Sequence, residues 1–216
     1  MNDFDGQTWV AFSDLCGLKA MYEEDAEKAA QALNKFYNTV YDLQYSNNSI
    51  NSIVVSDCSV CWIDRPDCTA GLSMLLEKLK SLHQRMLPDH LIRTTIAYGH
   101  FKYEGRLEMP QIQKNMIIGG AYLDAYANND KIEHGSIVIV KLPEGTDYGN
   151  LRMESEYKNM LKGNCPVEGF CEYFWSLSNK QNIERFLYKR KEINNSVFQN
   201  LKKLYSEYTT DCPRGL

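Results

Sequence analysis

The sequence predicts an α+β fold: a ferredoxin-like core, in which a mixed or antiparallel sheet is flanked by helices, followed by a helical C-terminal extension. Short runs of β-branched and aromatic residues predict buried strands, and apolar residues that recur at steps of three and four predict helices. Along the chain these elements follow in the order β-α-β-β-α-β, with further β and α segments behind them. That order is typical of a ferredoxin-like core.

The first strand and the first helix occupy residues 9–43. The run Trp9-Val-Ala-Phe-Ser-Asp14 predicts a strand that ends in a carboxylate. One long helical pattern follows, and the polar stretch 46–49 ends it. The buried stripe of this helix is formed by Ala26, Ala29, Leu33, Phe36, Val40 and Leu43.

A hairpin and a second helix come next. The apolar runs Ile50–Val55 and Cys58–Ile63 predict two strands, with Asp57 at or near the turn between them. Apolar residues at helical spacing then predict a helix that Pro88 ends, because proline cannot continue a helix. The buried stripe of this helix is formed by Leu72, Leu75, Leu76, Leu79, Leu82 and Met86.

The remaining elements complete the core. Residues 91–101 predict a strand, and Glu104-Gly105 predicts the tip of a hairpin. A short helix is entered through Gly119-Gly120, and residues 136–142 predict a last strand. From about residue 148 the chain is charged, aromatic and helical in period, so we predict a catalytic domain over 1–147 and a helical extension over 148–216.

Composition and charge argue against several classes of function. The 216 residues carry a net charge of −4 and give a pI near 5.6, which does not fit a basic nucleic-acid-binding surface. No apolar run has the length of a membrane span, and the N-terminus lacks a signal-peptide pattern, so we expect a cytoplasmic protein with reduced cysteines. Cys58 and Cys61 are separated by an odd step on a strand, so they point to opposite faces and predict neither a zinc clip nor a redox pair.

Two aspartates at the ends of apolar runs are the strongest indication of function. Asp14 and Asp57 are each preceded by serine, and a carboxylate at the end of a buried strand needs a compensating charge. If the strands of Phe12 and Val55 lie side by side, the two carboxylates converge at one edge of the sheet and can bind divalent cations. The alternative that spacing alone leaves open is that both are ordinary turn residues, which Asp favours.

The residues after Asp14 have features of a polyphosphate site. The carbonyl of Leu15 is well placed as a further oxygen ligand, and Gly17 permits close approach to the backbone. The helix that begins near Leu18 presents free N–H groups, and Lys19 adds a positive charge. A nucleoside triphosphate bound with two divalent cations would suit such a site.

Four motifs, in the correct order over residues 9–140, resemble those of the class III nucleotidyl cyclases. The stretch 12–19 (Phe-Ser-Asp-Leu-Cys-Gly-Leu-Lys) resembles their first metal-binding motif, and 55–57 (Val-Ser-Asp) resembles their second. The stretch 93–99 (Arg-Thr-Thr-Ile-Ala-Tyr-Gly) resembles the strand that follows, and 119–126 (Gly-Gly-Ala-Tyr-Leu-Asp-Ala-Tyr) resembles a helix entry of the same domain. The patterns Arg-x-x-Ile-x-x-Gly and Gly-x-Ala-x-x-x-Ala-Tyr are most similar to the pyrimidine cyclases of the bacterial Pycsar anti-phage system.

The resemblance implies a role for each matching residue, and with it the class III cyclase form of the ferredoxin-like core. Asp14 and Asp57 would ligate two divalent cations, Mn²⁺ or Mg²⁺, with the carbonyl of Leu15 as a further ligand. Arg93 would supply positive charge to the polyphosphate or to the transition state. Three of the substrate-binding residues would hold the β- and γ-phosphates, namely Gly17, Leu18 and Lys19. The implied substrate-binding set is Leu15, Cys16, Gly17, Leu18, Lys19 and Ser56.

The resemblance also implies an activity and partners. The expected reaction converts UTP to 3′,5′-cyclic UMP and pyrophosphate, as a signal made on phage infection, and CTP is the close alternative substrate. The expected assembly is a homodimer with active sites at the subunit interface. A separate effector protein would read the product, and we expect neither nucleic acid nor a membrane as a partner.

Four positions depart from the pattern of the purine cyclases. Ile53 and Met116 replace the lysine and the acidic residue that read a purine base in those enzymes, and apolar side chains there would leave purine donors and acceptors unpaired. Leu123 and Ala127 replace the asparagine and arginine that stabilise the transition state in many purine cyclases. The second pair favours a rival hypothesis, a cyclase-like domain that binds a nucleotide without turnover. A purely structural dimerisation domain is a further alternative.

Overall fold

The structure is a computed structural model in which one mixed sheet is flanked by helices, so the predicted α+β class is confirmed. It describes residues 2–45, 49–64, 68–87, 89–109, 112–132, 137–147, 161–162 and 171–173. No helix within these ranges has both the length and the hydropathy needed to cross a membrane.

The secondary-structure elements are numbered in chain order. The helices are α1 (Leu18–Glu24), α2 (Ala26–Tyr45), α3 (Cys68–Met86) and α4 (Gly120–Asn129). The strands are β1 (Phe4–Leu15), β2 (Ile50–Val55), β3 (Cys58–Ile63), β4 (Ile92–Met109), β5 (Ile112–Ile118), β6 (Ile137–Lys141), β7 (Leu161–Lys162) and β8 (Cys171–Tyr173).

The strand order is that of a ferredoxin-like core with additions. The sheet runs β2-β3-β1-β4-β6-β8-β7, and β5 pairs with β4 outside this path. Strand β1 lies between β3 and β4 and is antiparallel to both, whereas β6 is parallel to β4. The central position of β1 brings its C-terminal end, at Asp14, beside the ends of both neighbouring strands.

Both faces of β1 are covered, which explains why this strand reads as a nearly continuous apolar run. Trp9 and Ala11 pack against α3, in a core that also contains Ile137 and Ile139 of β6. The alternate residues Val10 and Phe12 pack on the opposite face with Ala121 and Ala125 of α4. A third cluster joins α2 to the C-terminal part of α3 and consists of Leu15, Ala32, Phe36, Val40, Leu43, Leu82, Met86 and Ile92.

The long helical pattern after Asp14 forms two helices, where the sequence predicted one. Asp25 lies between α1 and α2 with an extended backbone, at φ −159° and ψ 104°. Its Oδ1 accepts hydrogen bonds from the N–H groups of Glu27, at 3.0 Å, and Lys28, at 3.2 Å. A carboxylate that satisfies the first N–H groups of a helix stabilises a helix start at that point.

The predicted hairpin tip at Glu104-Gly105 is wrong. Strand β4 continues to Met109, which pairs with Ile112 of β5, and Gly105 lies within the ladder opposite Asn115. A Cβ atom at Gly105 would lie 2.7 Å from Oη of Tyr103, so glycine serves close packing at this position and not a turn.

The predicted helical extension over 148–216 falls mostly outside the described residues, including its apolar stripe at Phe186, Ile193, Val197, Leu201 and Leu204. The five residues that are described in this part of the chain lie in strands. Strand β8 pairs with β6 and with β7, and the side chain of Tyr173 is fully buried in the α3 core. This part of the chain therefore adds strands to the sheet, and the domain boundary at residue 147 remains a prediction.

Candidate metal and nucleotide site

Two carboxylates and a thiol meet where β1 ends beside the turn between β2 and β3. One potential ligand atom from each of Asp14, Asp57 and Cys58 lies within 4.8 Å of the other two, and all three residues are partly buried. Carboxylate oxygens at this spacing suit a hard divalent cation. The predicted convergence of Asp14 and Asp57 is therefore present in the structure.

The route by which Asp57 reaches Asp14 differs from the predicted one. Strand β3 lies between β1 and β2, so the expectation that the strands of Phe12 and Val55 lie side by side is wrong. Asp57 belongs to the two-residue turn that joins β2 to β3, and its carbonyl accepts a hydrogen bond from the N–H of Leu15 at 2.9 Å. The turn itself is thus fastened to the end of β1.

Ser56, the first residue of that turn, has a left-handed backbone at φ 54°. This region costs a non-glycine residue of order 1 kcal/mol or more, and such strain is often found at functional sites. The side chain of Ser56 is exposed, and the sharp reversal leaves Asp57 facing the end of β1.

Arg93 of β4 lies directly across the ladder from Asp14. Its Nε donates a hydrogen bond to Oδ2 of Asp14 at 2.8 Å, and its Nη2 donates one to Oδ1 of Asp130 at 2.7 Å. The Asp14 side chain is 14% exposed, whereas that of Asp130 is 88% exposed. Arg93 therefore compensates the half-buried carboxylate and makes a weaker, solvated contact with Asp130. Sequence reasoning missed Asp130, and its only signal was an acidic residue directly after α4.

The electrostatics of the site favour an added positive charge. Burial raises the pKa of Asp14, and the charge of Asp57 raises it further. The charge and hydrogen bond of Arg93 and a hydrogen bond from Cys58 lower this pKa and so oppose the rise. Burial and the two neighbouring carboxylates also raise the pKa of the Cys58 thiol, so the thiol stays protonated. It donates to Oδ1 of Asp14 at 3.5 Å and to Oδ1 of Asp57 at 3.8 Å.

These residues fit a divalent metal ion. The negative charge of Asp57 makes ionisation of Asp14 less favourable. The guanidinium of Arg93 offsets this repulsion, but it is hydrogen-bonded to one oxygen of Asp14. The remaining carboxylate oxygens are hard donors of the kind that Mg²⁺ and Mn²⁺ prefer. Sequence reasoning assigned Cys58 no part in this site, because its strand position suggested only a buried thiol.

The residues after Asp14 form a tight connection into α1. The N–H of Cys16 donates to the carbonyl of Leu91 at 2.9 Å, and burial raises the pKa of the Cys16 thiol to about 12. Gly17 has φ 78° and directly precedes Leu18, the first residue of α1. The left-handed backbone is one that glycine adopts without steric cost, which explains the residue type here.

Lys19, a predicted phosphate-binding residue, extends into solvent from α1. Its side chain is 92% exposed, and Nζ lies 4.0 Å from the carboxylate of Glu23, one turn further along α1. An exposed pair at this distance contributes little to stability, so the lysine is free to reorient toward an anion.

Two positions on the outer side of α4 match the asparagine and arginine of many purine cyclases, and both carry apolar side chains. Leu123 is 57% exposed and Ala127 is also exposed. Beside them, the rings of Tyr122 and Tyr126 stack with centroids 5.9 Å apart, and both contact Phe12 of β1.

Solved structures with a similar fold are nucleotidyl cyclases. The adenylyl cyclase CyaB from P. aeruginosa aligns with a TM-score of 0.53 at 20% sequence identity, over 80% of this chain and 95% of that one. The guanylate cyclase domain of RhGC from Catenaria anguillulae, solved with GTP, aligns with a TM-score of 0.52 at 13% identity, over 64% of this chain and 80% of that one.

A third similar structure is a non-canonical dimeric guanylyl cyclase domain of the RhoGC fusion protein from the aquatic fungus Blastocladiella emersonii. It aligns with a TM-score of 0.52 at 13% identity, over 64% of this chain and 81% of that one. No protein-family model and no curated protein matches the sequence. At these identities the likeness establishes the fold, which is that of the class III cyclase core, as the four motifs predicted.

Proposed function

We propose that this chain is a uridylate cyclase, which converts UTP to 3′,5′-cyclic UMP and pyrophosphate. The observation that carries the proposal is the convergence of Asp14 and Asp57 at the end of β1, in a chain with the class III cyclase fold. Each carboxylate occupies the position that the cyclase-like motifs assign to a metal ligand.

In the proposed site, Asp14, Asp57 and the carbonyl of Leu15 hold two divalent cations, Mn²⁺ or Mg²⁺. Bound there, the ions would lower the pKa of the ribose 3′-hydroxyl and neutralise charge on the departing pyrophosphate. The hydrogen bond from the N–H of Leu15 to the carbonyl of Asp57 ties the two ligand-bearing segments together, so the two carboxylates keep one relative position.

Arg93 supplies positive charge to the polyphosphate in this proposal. Its Nε is engaged by the half-buried Asp14, which orients the guanidinium, whereas its Nη2 contacts the solvated Asp130. An exposed ion pair is weak, so a phosphate oxygen can replace Asp130 at little cost. Arg93 then acts as a preorganised electrostatic stabiliser of the transition state.

Gly17, Leu18 and Lys19 would hold the β- and γ-phosphates, and Cys16 and Ser56 complete the proposed substrate-binding set. The first N–H groups of a helix have no partner within the helix, and they attract anions. Gly17 leads the chain into α1 without a side chain that would obstruct the approach of a phosphate. The exposed Lys19 is long enough to add a second positive charge.

The pyrimidine assignment rests on what the base would meet. Ile53 is almost completely buried in the apolar cluster beneath α4, and Met116 is half-buried on β5. Neither side chain offers the hydrogen bonds that the matching positions of purine cyclases provide, which disfavours ATP and GTP. The choice of UTP over CTP follows the resemblance, and cytidylate cyclase activity is the close alternative.

We further propose a cytoplasmic homodimer that acts in anti-phage defence, with its product read by a separate effector protein. Large apolar side chains are exposed on β2, β5 and α4 and support the dimer, namely Val55, Ile118, Leu123 and Tyr126. A partner subunit could supply the transition-state groups that Leu123 and Ala127 lack. The defence role rests on the resemblance to the Pycsar cyclases.

A second candidate is a cyclase-like domain that binds a nucleotide without turnover. The exposed Leu123 and Ala127 favour it, because neither side chain can stabilise charge on a transition state. Both candidates predict that a triphosphate raises the melting temperature in the presence of a divalent ion, and only the cyclase forms product.

The test is to incubate the purified chain separately with UTP, CTP, ATP and GTP in Mn²⁺ and to identify the products by chromatography and mass. Cyclic UMP from UTP alone is the expected result. Cyclic CMP would change the base assignment, and a cyclic purine would overturn it. Metal-dependent binding without any product would support the second candidate.

A further inference from the structure

A buried chain of hydrogen bonds lies behind the carboxylate site. Oγ of Ser13 lies 2.8 Å from Oγ1 of Thr94, and the same Thr94 oxygen lies 2.8 Å from Nε2 of His83 on α3. Ser13 and Thr94 are completely buried, and His83 is 2% exposed. Thr94 thus joins a strand residue to a helix residue through one hydroxyl group.

The hydrogen bonds of Ser13, Thr94 and His83 lie next to the site in the strand register. Ser13 and Thr94 form the cross-strand pair directly next to the pair of Asp14 and Arg93 in the β1–β4 ladder. Successive side chains on a strand point to opposite faces, so the hydroxyls hold the strands from the face that α3 covers while the charged groups point to the face on which α4 packs. On the other side of Asp14, the N–H of Leu15 is held by Asp57.

We infer that Thr94 is a positioning residue of the metal site, in which its hydroxyl, bonded to Ser13 and His83, fixes the strand ends that carry Asp14 and Arg93. This inference rests on the proposed function. Thr94 does not touch the ions or the substrate, and it acts through the backbone of the two strands.

The chemistry of these hydrogen bonds suits a fixed structural support. A threonine hydroxyl can donate one hydrogen bond and accept another, so Thr94 satisfies both partners for either tautomer of His83. Breaking a hydrogen bond between buried polar groups is costly, because water cannot replace the lost partner. Burial lowers the pKa of His83 to about 3, so the imidazole stays neutral. The hydrogen bonds of Ser13, Thr94 and His83 are therefore unchanged over the pH range of a cytoplasmic reaction.

Metal binding is a sensitive reporter of such support, because both carboxylates have to be placed correctly at the same time. Removing groups that orient metal ligands typically weakens metal affinity by about 10- to 100-fold. A change that only loosens the fold lowers the melting temperature and leaves the affinity of the folded protein unchanged. The two roles are therefore separable by experiment.

The experiment measures the affinity of the full chain for Mn²⁺ alone, by titration calorimetry at a temperature well below unfolding. Thr94→Val removes the hydroxyl at nearly constant volume, and we expect it to weaken Mn²⁺ binding about tenfold. Thr94→Ser keeps the hydroxyl and is expected to bind within about threefold of the wild type, by the same reasoning. If Thr94→Val does not fold, Ser13→Ala removes the same hydrogen bond with a smaller perturbation and carries the same expectation.

The matched control is Thr8→Val. Thr8 is a 3% exposed threonine in the middle of β1, and its Oγ1 donates to the carbonyl of Ile63 at 2.7 Å. This variant should be less stable than the wild type and should bind Mn²⁺ equally well. Wild-type affinity in Thr94→Val, or an equal loss in Thr8→Val, would overturn the inference. A wild-type chain that binds no Mn²⁺ would overturn the proposed function itself, and the inference with it.

Discussion

At the paired ends of β1 and β4, the two faces of the sheet carry opposite chemistry. One face carries Asp14 and Arg93, which are charged and 14% and 26% exposed, and the other carries Ser13 and Thr94, which are neutral and completely buried. The two sets are one residue apart in sequence. Strand geometry alone separates them, because successive side chains alternate between the faces.

The difference shows how one strand can support both a core and a site. On the buried face, neutral hydroxyls satisfy one another and His83, so no charge is taken from water. On the other face, incomplete burial lets the carboxylate of Asp14 remain near solvent, where a cation can reach it. Changes on the site face should therefore act directly on activity, whereas changes on the buried face should alter stability and reach the metal site only through the strand ends that they hold.

The largest effect is expected on the site face at Asp14 and Asp57. Asp14→Ala or Asp57→Ala should abolish turnover, because either change removes a carboxylate from the proposed metal site. The fold should persist, since Asp14 lies near the end of β1, Asp57 lies in the turn after β2, and neither belongs to an apolar cluster. Product formation and circular dichroism would be measured together, and a folded variant that keeps most of the wild-type rate would refute the metal assignment.

Arg93 should give the next largest loss. Arg93→Ala is expected to reduce the rate by at least about 10²-fold, which is typical for removal of a group that stabilises developing charge. The control is Arg85→Ala, because Arg85 is a half-exposed arginine whose nearest acid, Asp42, lies 3.7 Å away on α2. Steady-state rates for the two variants provide the comparison. Equal rates would make Arg93 an ordinary surface residue.

On the buried face, His83 should control stability in acid. Its pKa falls from 6.5 to about 3 on burial, so below pH 6.5 the unfolded chain takes up a proton that the folded chain refuses. The free energy of unfolding should then fall by about 1.4 kcal/mol per pH unit from this group alone, until the pH nears 3. His83→Gln lacks this contribution, so its stability deficit relative to the wild type should shrink between pH 6 and pH 4.

Urea unfolding at each pH measures this effect. His100→Gln is the control, because His100 is a half-exposed histidine on β4 that contacts Asp5 at the surface. A stability gap between wild type and His83→Gln that stays constant from pH 7 to pH 4 would contradict the neutral, buried state of His83.

The smallest effect on the site face is expected at Cys58. Its thiol is protonated and donates long hydrogen bonds to both carboxylates, so it orients them without ligating a hard cation. Cys58→Ala should lower the rate by less than about tenfold, since a long hydrogen bond from a weak thiol donor is worth roughly 1 kcal/mol. Initial rates in Mg²⁺ and Mn²⁺ measure it, and a loss as large as that of Asp57→Ala would make the sulfur a ligand.

The sequence predicted which carboxylates meet but not how they meet. Asp14 and Asp57 each follow a strand pattern, which suggested the pair, and the four cyclase-like motifs made the pairing specific. The neighbour of β1 proved to be β3, because strand order depends on long-range pairing that no local pattern contains. The buried hydrogen bonds of Ser13, Thr94 and His83 were missed for the same reason, since the three residues come from three different elements.

Local signals also explain the errors of boundary. The break between α1 and α2 could have been found, because Asp25 before an Ala-Glu-Lys stretch is a typical helix-capping residue. The false hairpin tip arose from treating Gly105 as a turn residue, whereas its small size serves packing against Tyr103. The strand that contains Tyr173 had no clear signal in a segment dominated by charged and aromatic residues.

The most direct measurement incubates the wild type and the Asp14→Ala variant in parallel with UTP and Mn²⁺, and quantifies cyclic UMP and pyrophosphate in each. We expect the wild type to form the two products in equal amounts and the variant to form neither. Equal product from both proteins would contradict the role of the carboxylate pair. No product from the folded wild type would contradict the cyclase activity itself.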